Sequence, residues 1–250
     1  MIKYYYYFSN SILRKVFLSI FLRKIKKTFK LTKHKPFNFN DQNIFSRKKV
    51  FNEYFNIYGN EHPKNIYKKL YINQKNKVLK NPHKFGGGAD QELLFNLCKQ
   101  SKIINILETG VASGWSTLAI LLAINNDSKK KLVSLDIPYP YKNSSHYIAN
   151  AVPEYLKNHQ WSLKIGIDID TLQKMYSENL KFDLVHYDSD KNYFAKLTSF
   201  KVIINLLNEG GYLISDDVSD DNAFIDFSIK NNLSYLIYPF EGKHIGIIKK

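Results

Sequence analysis

The 250-residue chain reads as an α/β protein: a doubly wound, mostly parallel sheet with helices on both faces, an antiparallel C-terminal hairpin, and a basic helical extension in front. Three observations lead there. From Ala89 onward, short apolar runs of strand length alternate with segments of helical period, the arrangement that builds parallel strands joined by crossover helices. The last two strand-like runs are joined only by residues 239–243, too few for a parallel crossover, so they must pair antiparallel. Finally, residues 1–40 hold ten Lys/Arg and no acid, whereas residues 84–250 are near neutral.

The elements follow in order. In the extension, Ile12, Leu13, Val16, Phe17, Ile20, Phe21 and Ile25 recur at helical spacing among Arg14, Lys15, Arg23, Lys24, Lys26, Lys27 and Lys30. Such a helix can lie on an anionic membrane surface through residues 11–30, can pack on its own domain or on a second copy in a homodimer, or can be a cleaved targeting peptide. The aromatic run Tyr4–Tyr7 has no specific physical account. Residues 41–83 are polar and rich in Asn, Lys and Tyr, and read as short helices and loops covering the domain of residues 84–250. Gly86, Gly87 and Gly88 mark its entry as a hinge or lid, since no strand precedes them and no Gly-Lys-Ser/Thr follows. Helices are expected at Gln91–Lys99, Ser116–Ile124, Glu154–Asn158, Leu172–Asn179, Phe194–Asn208 and Ala223–Lys230. Strands are expected at Ile103–Glu108, Lys131–Asp136, Ser162–Gly166, Phe182–Tyr187, Gly211–Ser215, Ser234–Tyr238 and His244–Ile248.

Composition excludes several classes. One cysteine, Cys98, allows neither an internal disulfide framework nor a Cys-rich zinc site and fits a reducing compartment such as the cytoplasm. No apolar run reaches the roughly 18 residues of a membrane-spanning helix. The net charge of +15 would suit nucleic acid if it lined a cleft. Confined to the first third of the chain, it does not, and no nucleic-acid partner is expected.

The most informative stretch is Ile106–Thr117, ILETGVASGWST. Gly110 and Gly114 fall in the turn after the first strand, where missing side chains let backbone approach a ligand. Ser113 or Ser116 can cap the helix that follows. The spacing is G-x-x-x-G, not the G-x-G-x-x-G of a dinucleotide site. Glu108 would repel a phosphate but suits a ligand that is cationic or rich in donors. Asp136 closes the second strand, where a carboxylate can accept both hydroxyls of a ribose.

With Glu108–Ser116, Asp136, FDLVHYDSDKNY and LLNEGGYLISDDV in this order, residues 84–250 resemble the class I S-adenosylmethionine-dependent methyltransferases. The resemblance implies a Rossmann-like seven-stranded sheet with a reversed last strand. It also implies that Glu108, Gly110, Ser113, Gly114 and Ser116 serve the methionine and ribose side of S-adenosyl-L-methionine, with Asp188 nearby and Asp136 on the ribose hydroxyls. Members often carry an acid directly after the glycine that ends the third strand. Here Ile167 stands there, with Asp168 one residue later.

Asp188 ends the fourth main strand and Asp216-Asp217 the fifth, 28 residues on, one crossover unit. Three converging carboxylates repel unless compensated, and an all-oxygen donor set favours magnesium over zinc. The pattern resembles the cation-dependent catechol and caffeoyl-CoA type of O-methyltransferases, in which a D-x-x-K segment supplies a metal-binding Asp and a Lys base, followed by an Asp-Asn pair. Asp188-Ser189-Asp190-Lys191 fits the first part, with Lys191 and Asp188 as catalytic residues. Asp188, Asp216 and Asp217 are the metal ligands, Asp217 replacing Asn. Asp190 reads as a helix cap, and His186 as a buried strand residue. His146, Tyr139 and Tyr141 fall on a long connection beside the site.

The expectation is therefore a magnesium-assisted O-methyltransferase acting on a hydroxyl of a small molecule or glycan precursor. A metal-independent methyltransferase of the same fold, a nicotinamide oxidoreductase and a catalytically silent, membrane-attached assembly module are the alternatives. Missing G-x-G spacing disfavours the oxidoreductase.

Overall fold

The computed structural model describes residues 11, 13–15, 17, 18, 21, 36–58, 61–82, 84–86, 88–137, 139 and 144–250. The Tyr4–Tyr7 run, most of the basic extension, Gly87 and Tyr141 lie outside the described residues.

Seven strands form one sheet in the order β3-β2-β1-β4-β5-β7-β6. They are β1 (Asn105–Thr109), β2 (Lys131–Asp136), β3 (Trp161–Ile165), β4 (Phe182–Tyr187), β5 (Leu207–Ser215), β6 (Tyr235–Phe240) and β7 (Lys243–Lys249). β1 to β5 are parallel, and β7 runs antiparallel to both β5 and β6. This is the doubly wound sheet with the expected hairpin at its edge. Strand order reverses between β1 and β4, the switch point outside whose carboxyl ends such sheets bind ligands.

Side chains alternate between the faces, as the pleat requires. Ile106 and Ile214 enter one core, with Leu93, Leu97 and Leu118, while Leu107 and Leu213 enter the other, with Phe200, Ile203 and Phe224. The first face is covered by α4 (Gln91–Lys99) and α5 (Trp115–Ile124), the second by α6 (Asp168–Ser177), α7 (Tyr193–Leu206) and α8 (Ala223–Lys230). α5, WSTLAILLAI, is apolar almost all round because α4 and the segment before it bury its outer side.

That earlier segment holds α1 (Arg47–Lys49), a π-helical turn (Val50–Tyr54), α2 (Pro63–Ile66) and α3 (Lys68–Leu79). Val50, Phe51 and Phe55 join the first core, and Tyr71 stacks on Trp115 with ring centroids 5.7 Å apart. Arg47 clamps it in place with a fork of hydrogen bonds to Asp90 (2.7 and 2.8 Å) and a third to Glu92 (2.9 Å), its guanidinium 4.1 Å from the Phe51 ring centre. In the basic extension, the described residues between 11 and 21 are helical. Leu13 is buried with Phe17 against Ile137 and Ile167, and Lys15 lies 3.8 Å from Asp170. The inner face of this helix thus packs on its own domain.

Three expectations need correction. The helix expected at Glu154–Asn158 is one 3-10 turn, Glu154–Leu156; Pro153 opens it, and Lys157, at φ −82° and ψ 60°, leaves helical geometry directly after it. β5 already begins at Leu207, ending the helix before Asn208. A register shift pairs Leu207 with Phe182 and Tyr212 with Leu184, which recruits residues that read as helical by hydropathy alone. The helix after β3 starts at Asp168, four residues earlier than Leu172.

Candidate active site

The rim of the sheet is set by backbone bonds that extend each ladder past its last strand residue. The Gly110 N–H donates to Leu135 O, the Asp188 N–H to Thr109 O, the Gly166 N–H to Asp136 O and the Asp216 N–H to Tyr187 O, each at 2.9 Å. Asp136, Gly110, Asp188 and Asp216 are thereby placed side by side along one edge, as strand register alone requires. Outside this edge opens a cavity of about 980 Å³ lined by Gly110, Ala112, Asp136, Ile137, Ile167 and Asp168 at one end and Asp188, Lys191, Asp217 and Lys243 at the other.

The turn between β1 and α5 is bent for close approach. Gly110 has φ +85° and Ala112 φ +49°. A Cβ on Gly110 would lie 2.1 Å from Asp188 O, so only glycine fits. Gly114 (φ +86°) has another constraint: its Cβ would lie 2.7 Å from Ala149 Cα, in the segment that folds over the turn. It supports packing and does not line the cavity. Gly114 is itself the N-cap of α5 and makes no side-chain cap bond. Ser113 is buried and contacts the 149–152 segment through its carbonyl, which accepts the Ala151 N–H at 2.8 Å.

Glu108 is fully buried beneath this turn and does not reach the cavity. Its carboxylate accepts hydroxyl bonds from Ser116 (2.6 Å), Thr117 (2.7 Å) and Ser134 (2.7 Å). Ser116 is thus spent on Glu108 and caps nothing. On the neighbouring strand, in register with Glu108, stands His186, equally buried, its Nδ1 3.8 Å from Glu108 Oε1. Burial works against both charges, and each group shifts the other toward its ionised form. The His186 pKa lies above its ordinary value, raised by Glu108 and Asp216, and the Glu108 pKa lies below its own, lowered by His186 and the hydroxyls. Glu108 under the glycine turn thus ties β1 to β2 and α5 by hydrogen bonds and lies against His186 of β4.

Asp136 does face the cavity. One oxygen accepts the Ala112 N–H and the other the Ile137 N–H, both at 2.8 Å, which fixes the carboxylate. Burial nevertheless pushes its pKa up to about 7 against those two bonds, with Asp168 adding to the rise. Asp168, at the start of α6, is pushed up to about 6, by burial first, and its Oδ1 is buried without a hydrogen-bond partner among the described residues. An orphaned acceptor beside the clamped Asp136, between Ile137 and Ile167, calls for a ligand with apolar faces and N–H or O–H donors, such as a nucleoside. The family resemblance places an acid directly after the strand-ending glycine, where Ile167 stands here and Asp168 follows one residue later. The α6 start, one turn earlier than expected, is what turns it inward.

At the other end the three expected carboxylates do converge, but with lysines between them. Lys191 Nζ bonds Asp188 and, at 2.5 Å, Asp217; Lys243 Nζ bonds Asp216 at 2.6 Å and lies 3.6 Å from Asp217. The buried Lys196 adds a bond to the Asp217 carbonyl (3.0 Å) and lies 3.7 Å from Asp221. Asp217 occupies the left-handed region (φ +51°), which Asn and Asp enter more readily than other side-chain-bearing residues, so Asp in place of Asn costs the turn little. Burial pulls Lys191 down, but Asp188 and Asp217 hold its pKa above the ordinary lysine value; Asp217, despite burial, is held below the usual carboxylate range by Lys191 and Lys243. The shift favours the ammonium form of Lys191, whereas the expected base would act as the neutral amine.

These carboxylates do not fit a resident divalent cation as arranged, because the oxygens that would ligate it already bind ammonium groups. Among the described residues no group of three or more His, Cys, Asp or Glu is placed to hold a metal. One carboxylate oxygen, Asp216 Oδ1, stays buried and unpartnered among the described residues.

The remaining expected positions divide. Tyr139 lines the cavity and packs edge-on against Phe85 at 4.5 Å, and Gly86 lines it too. His146 is exposed and apart from it. Asp190 is not the cap of α7; Asn192 is, accepting from the Phe194 and Ala195 N–H groups. Lys243 escaped the sequence reading altogether, although the hairpin held a signal for it: in an antiparallel pair the start of β7 must lie beside the end of β5.

Comparison with known proteins agrees with this fold. Residues 107–218 match the family model described as a methyltransferase domain. No curated protein matches the chain. Among solved structures, an SAH-bound methyltransferase of Podospora anserina superposes with a TM-score of 0.56 at 20% identity, over 72% of this chain and 87% of that one. An O-methyltransferase of Bacillus cereus in complex with SAH gives 0.53 at 16% identity, over 82% and 98%. The O-methyltransferase TomG of Streptomyces achromogenes, in complex with SAM, also gives 0.53 at 16%, over 82% and 95%. The fold is that of these enzymes, and residues 107–218 match a methyltransferase domain.

Proposed function

We propose that this chain transfers a methyl group from S-adenosyl-L-methionine to a hydroxyl oxygen of a small molecule or glycan precursor. The observation that carries the reading is the cavity lining: a clamped carboxylate (Asp136) and one with an unpartnered oxygen (Asp168 Oδ1), with Ile137 and Ile167, beside a glycine turn that admits no Cβ at Gly110. Asp136 would hold the ribose hydroxyls, Asp168 an adenine donor, and Gly110 and Ala112 the methionine portion. The donor supplies an electrophilic methyl on a sulfonium sulfur, which becomes a neutral thioether on transfer.

The acceptor end is polar, with Asn192, Thr198 and Ser199 beside the charged residues and Phe194 at its mouth. A hydroxyl acceptor fits better there than a carbon or thiol nucleophile, because the Asp188 carboxylate can take its hydrogen bond and then its proton. Lys191, held protonated between Asp188 and Asp217, is placed to stabilise the oxyanion that develops as the proton leaves. Its role is thus electrostatic and not that of a base.

Calorimetry of the full chain with S-adenosylhomocysteine and with NAD tests the reading. Saturable binding of the first alone is the expected result; binding of NAD alone would assign the cavity to an oxidoreductase instead.

For the basic arm we infer contact with an anionic lipid surface. Supporting this, Leu13 faces inward while Leu18 and Phe21 are 55% and 49% exposed, beside a run of lysines. Flotation with anionic vesicles should recover the full chain and lose a chain beginning at residue 41. Equal recovery of both removes the lipid from the reading.

A further inference from the structure

The acceptor end of the cavity holds an alternating row of charges, Asp188–Lys191–Asp217–Lys243–Asp216, whose links are four ammonium–carboxylate contacts. Lys191 comes from the loop before α7 and Lys243 from the start of β7, so the row is closed only when the C-terminal hairpin is in place. We propose that Lys243, together with Lys191, stands where a divalent cation would otherwise sit, and that this chain works without a bound metal at its carboxylate cluster. The inference rests on the methyltransferase reading for its catalytic meaning, though not for its geometry.

Electrostatics favours a cation here. Asp216 is buried, with its pKa raised by burial and by Asp188, and the antiparallel register of β7 against β5 (Ser215 opposite Gly246) carries Lys243 to its side. Lys243 is only 24% exposed and Asp216 not at all, so the pair is little screened by water. Magnesium binds reluctantly where its near-octahedral shell must be completed from oxygens already hydrogen-bonded to ammonium groups. The third lysine, Lys196, is 1% exposed and pins the Asp217 carbonyl, which holds the turn in the geometry that both other lysines use. The row compensates its own carboxylates, with Lys243 as the positioning residue that keeps Asp216 and Asp217 together beside the acceptor.

The test uses the full chain saturated with S-adenosylhomocysteine and titrated with manganese, a paramagnetic stand-in for magnesium, with bound and free ion separated by electron paramagnetic resonance. The wild type should show no stoichiometric uptake. Lys243→Met, which removes the ammonium but keeps the stem, should gain manganese affinity at least about tenfold, while Lys243→Arg should behave as the wild type. The arginine variant guards against loss of fold in the methionine variant, and thermal melting of both is recorded alongside. One manganese per wild-type chain, or a Lys243→Met variant that folds and gains no affinity, overturns the inference. Failure of the methyltransferase reading is seen separately, as absence of S-adenosylhomocysteine binding at the start of the titration.

Discussion

Glu108→Gln separates two roles that look alike in sequence. If Glu108 touches the cofactor, the substitution should weaken S-adenosylhomocysteine binding and leave stability nearly unchanged. The structure predicts the reverse. Glu108 Oε2 accepts from both Thr117 and Ser134, and Oε1 from Ser116, at 2.6–2.7 Å. In glutamine one of these oxygens becomes an NH₂ group, so at least one charge-assisted bond, worth about 1.5–3 kcal/mol, is lost. The anion opposite His186 also disappears, and with it the neighbour that raises the pKa of that ring. A total near 3 kcal/mol corresponds to a melting decrease of roughly 6–12 °C for a chain of this size. Differential scanning calorimetry of the unliganded protein reads this directly, and titration well below the transition should show an S-adenosylhomocysteine Kd within about threefold of wild type. An unchanged melting temperature with a Kd raised about tenfold or more would refute the buried-couple account and return Glu108 to the cofactor.

Gly110→Ala meets both an unfavourable backbone, about 1–2 kcal/mol, and the Asp188 carbonyl, so S-adenosylhomocysteine binding should be abolished by displacement of the turn; calorimetric binding equal to wild type would contradict the bend. Asp136 has its pKa raised in the folded chain, to about 7, so its stabilising contribution is complete at acid pH and is lost as pH rises through about 7. The unliganded protein should therefore melt higher at pH 5.5 than at pH 8 by a margin that shrinks in Asp136→Asn, and a margin equal in both proteins contradicts the assignment. Lys191→Arg should retain part of the transfer rate because it retains charge, while Lys191→Met should lose about 10²–10⁴-fold; equal loss in single-turnover assays would point to a neutral amine acting as base.

Sequence and structure agree where a local pattern has only one physical outcome. Alternating strand and helix periods dictate a parallel sheet, and a five-residue link dictates a hairpin. A glycine after the first strand and a carboxylate after the second then fall on one edge, because parallel strands all end on the same side. That is why Gly110, Asp136, Asp188 and Asp217 were legible from spacing and meet in one cavity. The boundaries that moved are those where tertiary contacts outweigh propensity, as at Leu207, which pairs with Phe182 instead of extending α7.

Spacing says nothing of which way an acid faces or what stands beside it. Glu108 and Asp136 look equivalent along the chain, each an acid at or near a strand end, and they share one face of the sheet; yet Glu108, level with Ser134, lies beneath the glycine turn among three hydroxyls, whereas Asp136, one step further along at the rim, stands at the cavity. Lys243 lies far from Asp188 in sequence, and only the reversed last strand brings its ammonium between two aspartates. The sequence by itself determined the architecture, the edge that binds and the residues gathered there. The tertiary structure alone decided which carboxylates remain open to a ligand and which are already paired, because side-chain burial and charge partnership depend on neighbours distant in the chain, whereas strand direction and turn geometry depend on neighbours close in it.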